Sequence, residues 1–228
     1  MKNLNVLGIL ILSLMATTIW GQKTFSEGSV KFEITNVSSD NPQLAGQLDM
    51  MKGSTMTIYV KDDQQMTSMN MMNGMMQQNM IVNKENNTTL MLMDMMGRKI
   101  KVEMPIEDPN PDDMDVNIEY FEDERKEIAG YDTYKAIMTT KTEGQEIKLE
   151  TYITDKYEFD GKMIQNAPGS MQLRGMPLEY TINQPQLSMT FTAQEVLDQV
   201  DASVFEIDTE GYEEMDPEEL KNMGGMGF

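Results

Sequence analysis

The sequence predicts a mainly β protein, built as one curled antiparallel sheet of about ten to twelve strands that forms an unclosed half-barrel with one or two short helices. Three observations predict it. Short segments of alternating apolar and polar residues recur along the chain, bounded by Gly, Asn, Asp and Pro. Helix signals are scarce. The chain has no cysteine, so its stability must come from packed apolar faces rather than cross-links.

The first residues read as a secretory signal peptide over 1–22. Lys2 precedes the apolar run Val6 to Met15, then Ala16, Thr17 and Thr18, with cleavage expected near Gly21 or Gln22. That run is short for a bilayer span, and no later stretch of about 18 apolar residues exists, so no transmembrane segment is expected. Without a cysteine at the junction no lipid anchor of the bacterial lipoprotein kind can be attached, and the product is expected to be soluble, periplasmic or secreted.

A single antiparallel β domain over 23–219 is expected next. Val30, Phe32 and Ile34 alternate with Lys31, Glu33 and Thr35; Met56, Ile58 and Val60 alternate with Thr55, Thr57 and Tyr59. The same pattern holds for Ile100, Val102 and Met104, for Val116, Ile118 and Tyr120, and for Ile147, Leu149 and Ile153. Leu178, Tyr180 and Ile182 make a further strand, and Leu187, Met189 and Phe191 another. Such alternation gives one apolar and one wet face. Near the end, Asp216 reads as a helix N-cap with Pro217 at the first helical position and acids in the first turn. Around Ala193 to Gln199 a helical turn and a continuing strand are both open. Residues 220–228 are expected to form a flexible tail.

Methionine is the compositional anomaly: 26 in the chain, 15 of them between Met50 and Met104. QQMTSMNMM is expected as a strand, NGMMQQ as its turn and NMIVN as the return. In TTLMLMDMM, Leu90 and Leu92 point one way and Met91, Met93 and Met95 the other, so this strand is apolar on both faces and needs cover on both. Helices or loops then lie on the methionine side, or that side lines a cavity. Three readings stand together: thioethers filling an ordinary core, the lining of an adaptable hydrophobic pocket, or a Cu(I) site. The candidate ligand-binding residues are Met66, Met69, Met71, Met91, Met93 and Met95; for a metal, Met91, Met93 and Met95.

The balance of 38 acidic against 18 basic residues gives a formal net charge of −20, which repels nucleic acid and anionic surfaces. With no His and no Cys, the commonest general base, thiol nucleophiles and Cys/His zinc sites are all missing. No P-loop, dinucleotide fingerprint or nucleophile elbow occurs either. A binding protein is expected rather than an enzyme, with no cofactor and with a lipid, another hydrophobic ligand or an envelope protein as partner. The acidic stretch 107–115, EDPNPDDMD, reads as an exposed loop. Asp108, Asn110, Asp112 and Glu119 match calcium-loop positions in part, with Asp113 where the sharp turn requires Gly.

The chain resembles the secreted proteins carrying the domain of unknown function numbered 4412, common in the Bacteroidota. The likeness rests on STMTIYVKDDQQMTSMNMM, NMIVNKENNTTLMLMDMMGRKIKV, IAGYDTYKAIMTT with LETYITD, GMPLEYTI, and VDASVFEIDTEGYEEM, in that order. That family often shows a cysteine near the middle Gly-Tyr; here Asp132, Thr133 and Tyr134 follow Gly130 and Tyr131. The resemblance implies a LolA- and LolB-like half-barrel with a concave apolar face able to hold acyl chains.

Overall fold

The computed structural model describes residues 22–39, 41, 48–106, 115–142, 145–158, 173–184 and 187–222. Residues 1–21 of the expected signal peptide, the loop 107–114 with Asp108, Asn110 and Asp112, and the closing residues 223–228 lie outside them.

Strands dominate. In chain order they are β1 (Lys23–Thr24), β2 (Glu27–Ser38), β3 (Thr55–Lys61), β4 (Gln64–Met71), β5 (Met76–Asn83), β6 (Thr88–Met95) and β7 (Arg98–Pro105). Then come β8 (Asp115–Ile128), β9 (Tyr131–Thr142), β10 (Gln145–Thr154), β11 (Tyr157–Glu158), β12 (Met176–Gln184), β13 (Leu187–Leu197) and β14 (Glu213–Glu214). Twelve of them form one sheet in the order β14-β7-β6-β5-β4-β3-β2-β13-β12-β10-β9-β8, while β1 and β11 pair separately. Within the large sheet neighbours are antiparallel except β14 on β7, and β1 and β11 pair parallel as well. The sheet is thus two meanders, β2 to β7 and β8 to β13, joined where β13 pairs with β2.

The sheet is curled but not closed. β7 and β8 lie ten strand spacings apart in the sheet, about 48 Å if flat. The ten residue steps from Pro105 to Asp115 span at most about 36 Å, so the edges must approach. Side chains on the inside of the curve meet accordingly. The Tyr180 hydroxyl of β12 donates to the Met56 sulfur of β3 at 3.8 Å, and the rings of Phe32 and Tyr180 pack edge to face at 5.6 Å.

The predicted alternation accounts for the core. Val30, Phe32, Ile34, Met56, Ile58, Ala136, Met138, Leu149, Ile153, Leu178, Tyr180 and Phe191 are all buried on one face. Short turns set the registers: Met96–Gly97 and Ala129–Gly130 both take positive φ, the geometry that matches strand twist in two-residue hairpins. Pro217–Asn222 is helical, with the Asp216 carboxylate accepting from the Glu218 N–H at 2.8 Å as the N-cap pattern requires. At Ala193 the strand alternative holds: β13 runs on to Leu197, because its partner β2 extends just as far. Among the described residues no helix is long and apolar enough to cross a membrane.

Candidate functional site

The two faces of β4 to β7 differ in chemistry. Cross-strand pairing aligns Met71 with Met76 and Met95, Met69 with Gln78 and Met93, and Thr67 with Met80, Met91 and Val102. All these residues, with Met104, share the face that continues into the Phe32 core. On the opposite face the apolar residues are Ile81, Leu90 and Leu92, with Met66. Eight of the nine methionines in these four strands therefore lie on one side. A general enrichment in methionine would populate both sides alike.

A segment of the chain crosses the leucine side. After β13, which lies beside β2, the chain must reach β14 on the outer edge of β7. On the way Lys61, which belongs to the leucine side, donates to the Val200 carbonyl at 3.1 Å, and the Lys99 ammonium sits 5.4 Å from the Tyr212 ring centre. Residues 198–212 thus form a strap across this side, with Val204, Phe205, Ile207 and Tyr212 half-buried. Under it Leu92 is 1% exposed and Met66 5%. The strap is anchored at its far end by the Met215 N–H, which donates to the Lys101 carbonyl at 2.9 Å.

On the methionine side Ile100 and Val102 of β7 and Gln65 and Thr67 of β4 are buried, while most of the methionines keep part of their surface. Met69, Met76, Met80, Met91, Met93, Met95 and Met104 are all part-exposed, and only Met71 among the eight is fully buried. Two hairpin turns project beyond its end: Met72–Gly74 closes β4 and β5, and Met96–Gly97 closes β6 and β7. The Met96 N–H donates to the Met75 carbonyl at 3.1 Å, which locks the turns together. Met75 and Met96 are 51% and 82% exposed.

Of the residues singled out from the sequence, Met69, Met71, Met91, Met93 and Met95 come together on this face. Met66 does not: an odd number of residues from Met69 and Met71 along β4, it points to the leucine side with Ile81. Met76, Met80 and Met104 join the face and were not among the candidates. Met76 was hidden because Asn73 and Gly74 mark a turn, and the turn is tighter than NGMMQQ suggests. Glu119 lies exposed on β8, opposite Ile137. Among the described residues no three His, Cys, Asp or Glu side chains gather in a metal-binding arrangement. A polar depression lined by Asp62, Asp63, Gln64, Asn83, Lys84 and Glu85 sits at the opposite ends of these hairpins, away from the exposed methionines.

The tyrosines outside this face are structural. Tyr157 donates to Asp198 and packs edge to face on Phe25, with ring centres 5.2 Å apart. Tyr134 donates to Asp155 at 2.7 Å. Burial first, then these hydrogen bonds to carboxylates, pushes both phenols above their ordinary range. No family model and no curated protein matches this chain.

Proposed function

We propose that the protein binds or carries a hydrophobic ligand, such as a lipid or acyl chain, on the methionine side of β4 to β7, without catalysing a reaction. The observation that carries this reading is the gathering of eight methionines of β4 to β7 on one face, seven of them part-exposed, next to a strip of β7 that Ile100 and Val102 keep fully buried. Methionine has three rotatable bonds and a polarisable sulfur, so a row of such side chains repacks around ligands of differing shape. A face that had only to be buried would favour the branched and aromatic residues that suit strands better. Those are the residues the same side carries in the core, at Val30, Phe32, Ile58 and Phe191.

The strong negative charge selects among ligands. At −20 the protein repels a free carboxylate, so a neutral or zwitterionic head suits it better than a fatty acid anion. A role in the envelope or outside the cell, within the secreted family whose motifs the sequence resembles, is part of this proposal. The test is titration with a fluorescent lysophosphatidylcholine analogue. The parent should bind it saturably, and the variant carrying Met91→Leu, Met93→Leu and Met95→Leu should bind it nearly as well, because volume and apolarity are kept. Met91→Asp with Met93→Asp should abolish binding while the circular dichroism spectrum persists. Failure of the parent to bind, or undiminished binding by the aspartate variant, would refute the reading.

A further inference from the structure

We propose that Met71, Met76 and Met95 form a thioether site for Cu(I) at the turn end of the methionine face, an inference that does not rest on the acyl-binding role. The three residues are directly opposed across three adjacent strands, Met71 to Met76 and Met76 to Met95. Directly opposed Cβ atoms lie about 4.5–5.5 Å apart. The outer pair is therefore separated by about 10 Å, with Met76 midway. Each sulfur stands two bonds beyond its Cβ, so those of Met71 and Met95 can lean inward over Met76 and enclose one ion with three donors. Met91, Met93 and Met95, by contrast, succeed one another along a single strand at about 6.8 Å, and Met93 faces Gln78 rather than a second thioether.

The surroundings suit a soft monovalent cation. Thioethers are neutral, soft ligands that favour Cu(I) and bind hard divalent ions poorly. Met71 is 2% exposed, so the inner wall of the site is dry, while Met75 and Met96 on the adjoining turns offer sulfur to an arriving ion from solvent. The only charge continuing the row is Arg98, opposite Met95, and its guanidinium turns to Glu213 at 3.9 Å on the outer edge. The protein's acidity raises the local concentration of any cation. Met96 adds a conformational argument: it holds φ +54° in a turn where Asn, Asp or Gly is usual, yet presents an almost fully exposed thioether.

The experiment is anaerobic equilibrium dialysis of the full chain against Cu(I) held in solution by acetonitrile, a weak competing ligand. The parent should retain a stoichiometric amount of copper. Met71→Leu with Met76→Leu and Met95→Leu should retain none, and Met91→Leu with Met93→Leu, on the same face but off the row, should retain as much as the parent. No retention by the parent, or equal loss in both variants, overturns the site. Should the row variant fail to fold, titration of the parent with Ag(I), read on methionine methyl resonances, decides: Met71, Met76 and Met95 shift first, and any other methionines shifting first would overturn the proposal. Copper retention and lysolipid binding are measured separately on the parent, so the two roles can fail separately.

Discussion

Leu92 and Met93 are chain neighbours on opposite sides of β6, and truncating each to alanine separates a sealed position from a part-open one. Leu92 is 1% exposed beneath the strap, whereas Met93 is part-exposed in the methionine row. A fully buried leucine cut to alanine costs the lost transfer energy plus a cavity, about 3 kcal/mol within the usual range of 2–5. A methionine side chain fully buried is worth about 1.5–3 kcal/mol, so the part-buried Met93 should cost about 1 kcal/mol, with little cavity left because solvent or neighbours fill the space. With a urea m-value of about 2 kcal/mol/M, the midpoint falls by about 1.5 M for Leu92→Ala and about 0.5 M for Met93→Ala. Urea unfolding followed by circular dichroism gives both. The order should reverse for lysolipid binding, which Met93→Ala weakens and Leu92→Ala leaves intact below its own unfolding transition. A Met93 cost equal to or above that of Leu92 would refute the assignment of faces and the cover supplied by the strap.

Truncation after Val200 should uncover Met66, Ile81, Leu90 and Leu92, seen as a rise in anilinonaphthalene sulfonate fluorescence; no rise would show that the strap is not their cover. Gly28→Ala should cost about 3 kcal/mol or more, since at φ +142° a Cβ would stand 2.1 Å from the Leu197 carbonyl oxygen; calorimetry showing an unchanged melting temperature would contradict this. Tyr134, Tyr157 and Tyr180 all have phenol pKa values raised, mainly by burial. Their protonated forms are bound in the fold, so stability is constant below the unfolded tyrosine pKa of about 10 and falls as pH rises above it. Absorbance at alkaline pH should therefore show these phenols ionising only together with unfolding, and early titration of all eight tyrosines would refute it. Tyr180→Phe should be nearly neutral, because its hydroxyl donates only to a thioether, whereas Tyr134→Phe should cost about 1–2 kcal/mol for the bond to Asp155.

The strands were legible because antiparallel hairpins are local: the period-two pattern in Val30 to Ile34 or Leu178 to Ile182 is set by residues that pair with chain neighbours. The closing helix was legible for the same reason, from Asp216 and Pro217 alone. The strap was not. Its residues SVFEIDTEGY carry no period, and their partners Lys61 and Lys99 are far away in sequence, so nothing local announces that they cross a sheet. Consequently the sequence showed that β6 needed cover on both sides but not that the strap would cross its leucine side. The site was half legible. Parity along β6 placed Met91, Met93 and Met95 together, but the row Met71, Met76 and Met95 depends on register across two hairpins, and that register follows from turns whose left-handed residues include Met72 and Met96, poor turn formers by composition. Grouping Met66 with Met69 ignored parity within β4.

The central claim is that ligand contact belongs to the methionine face. It is tested most directly by labelling the methionine methyl groups with carbon-13 and titrating the full chain with lysophosphatidylcholine. The account predicts saturable shifts at Met69, Met76, Met80, Met91 and Met93, with Met66 beneath the strap unmoved. Shifts confined to Met66, or no shift at any methyl while the protein stays folded, would contradict it.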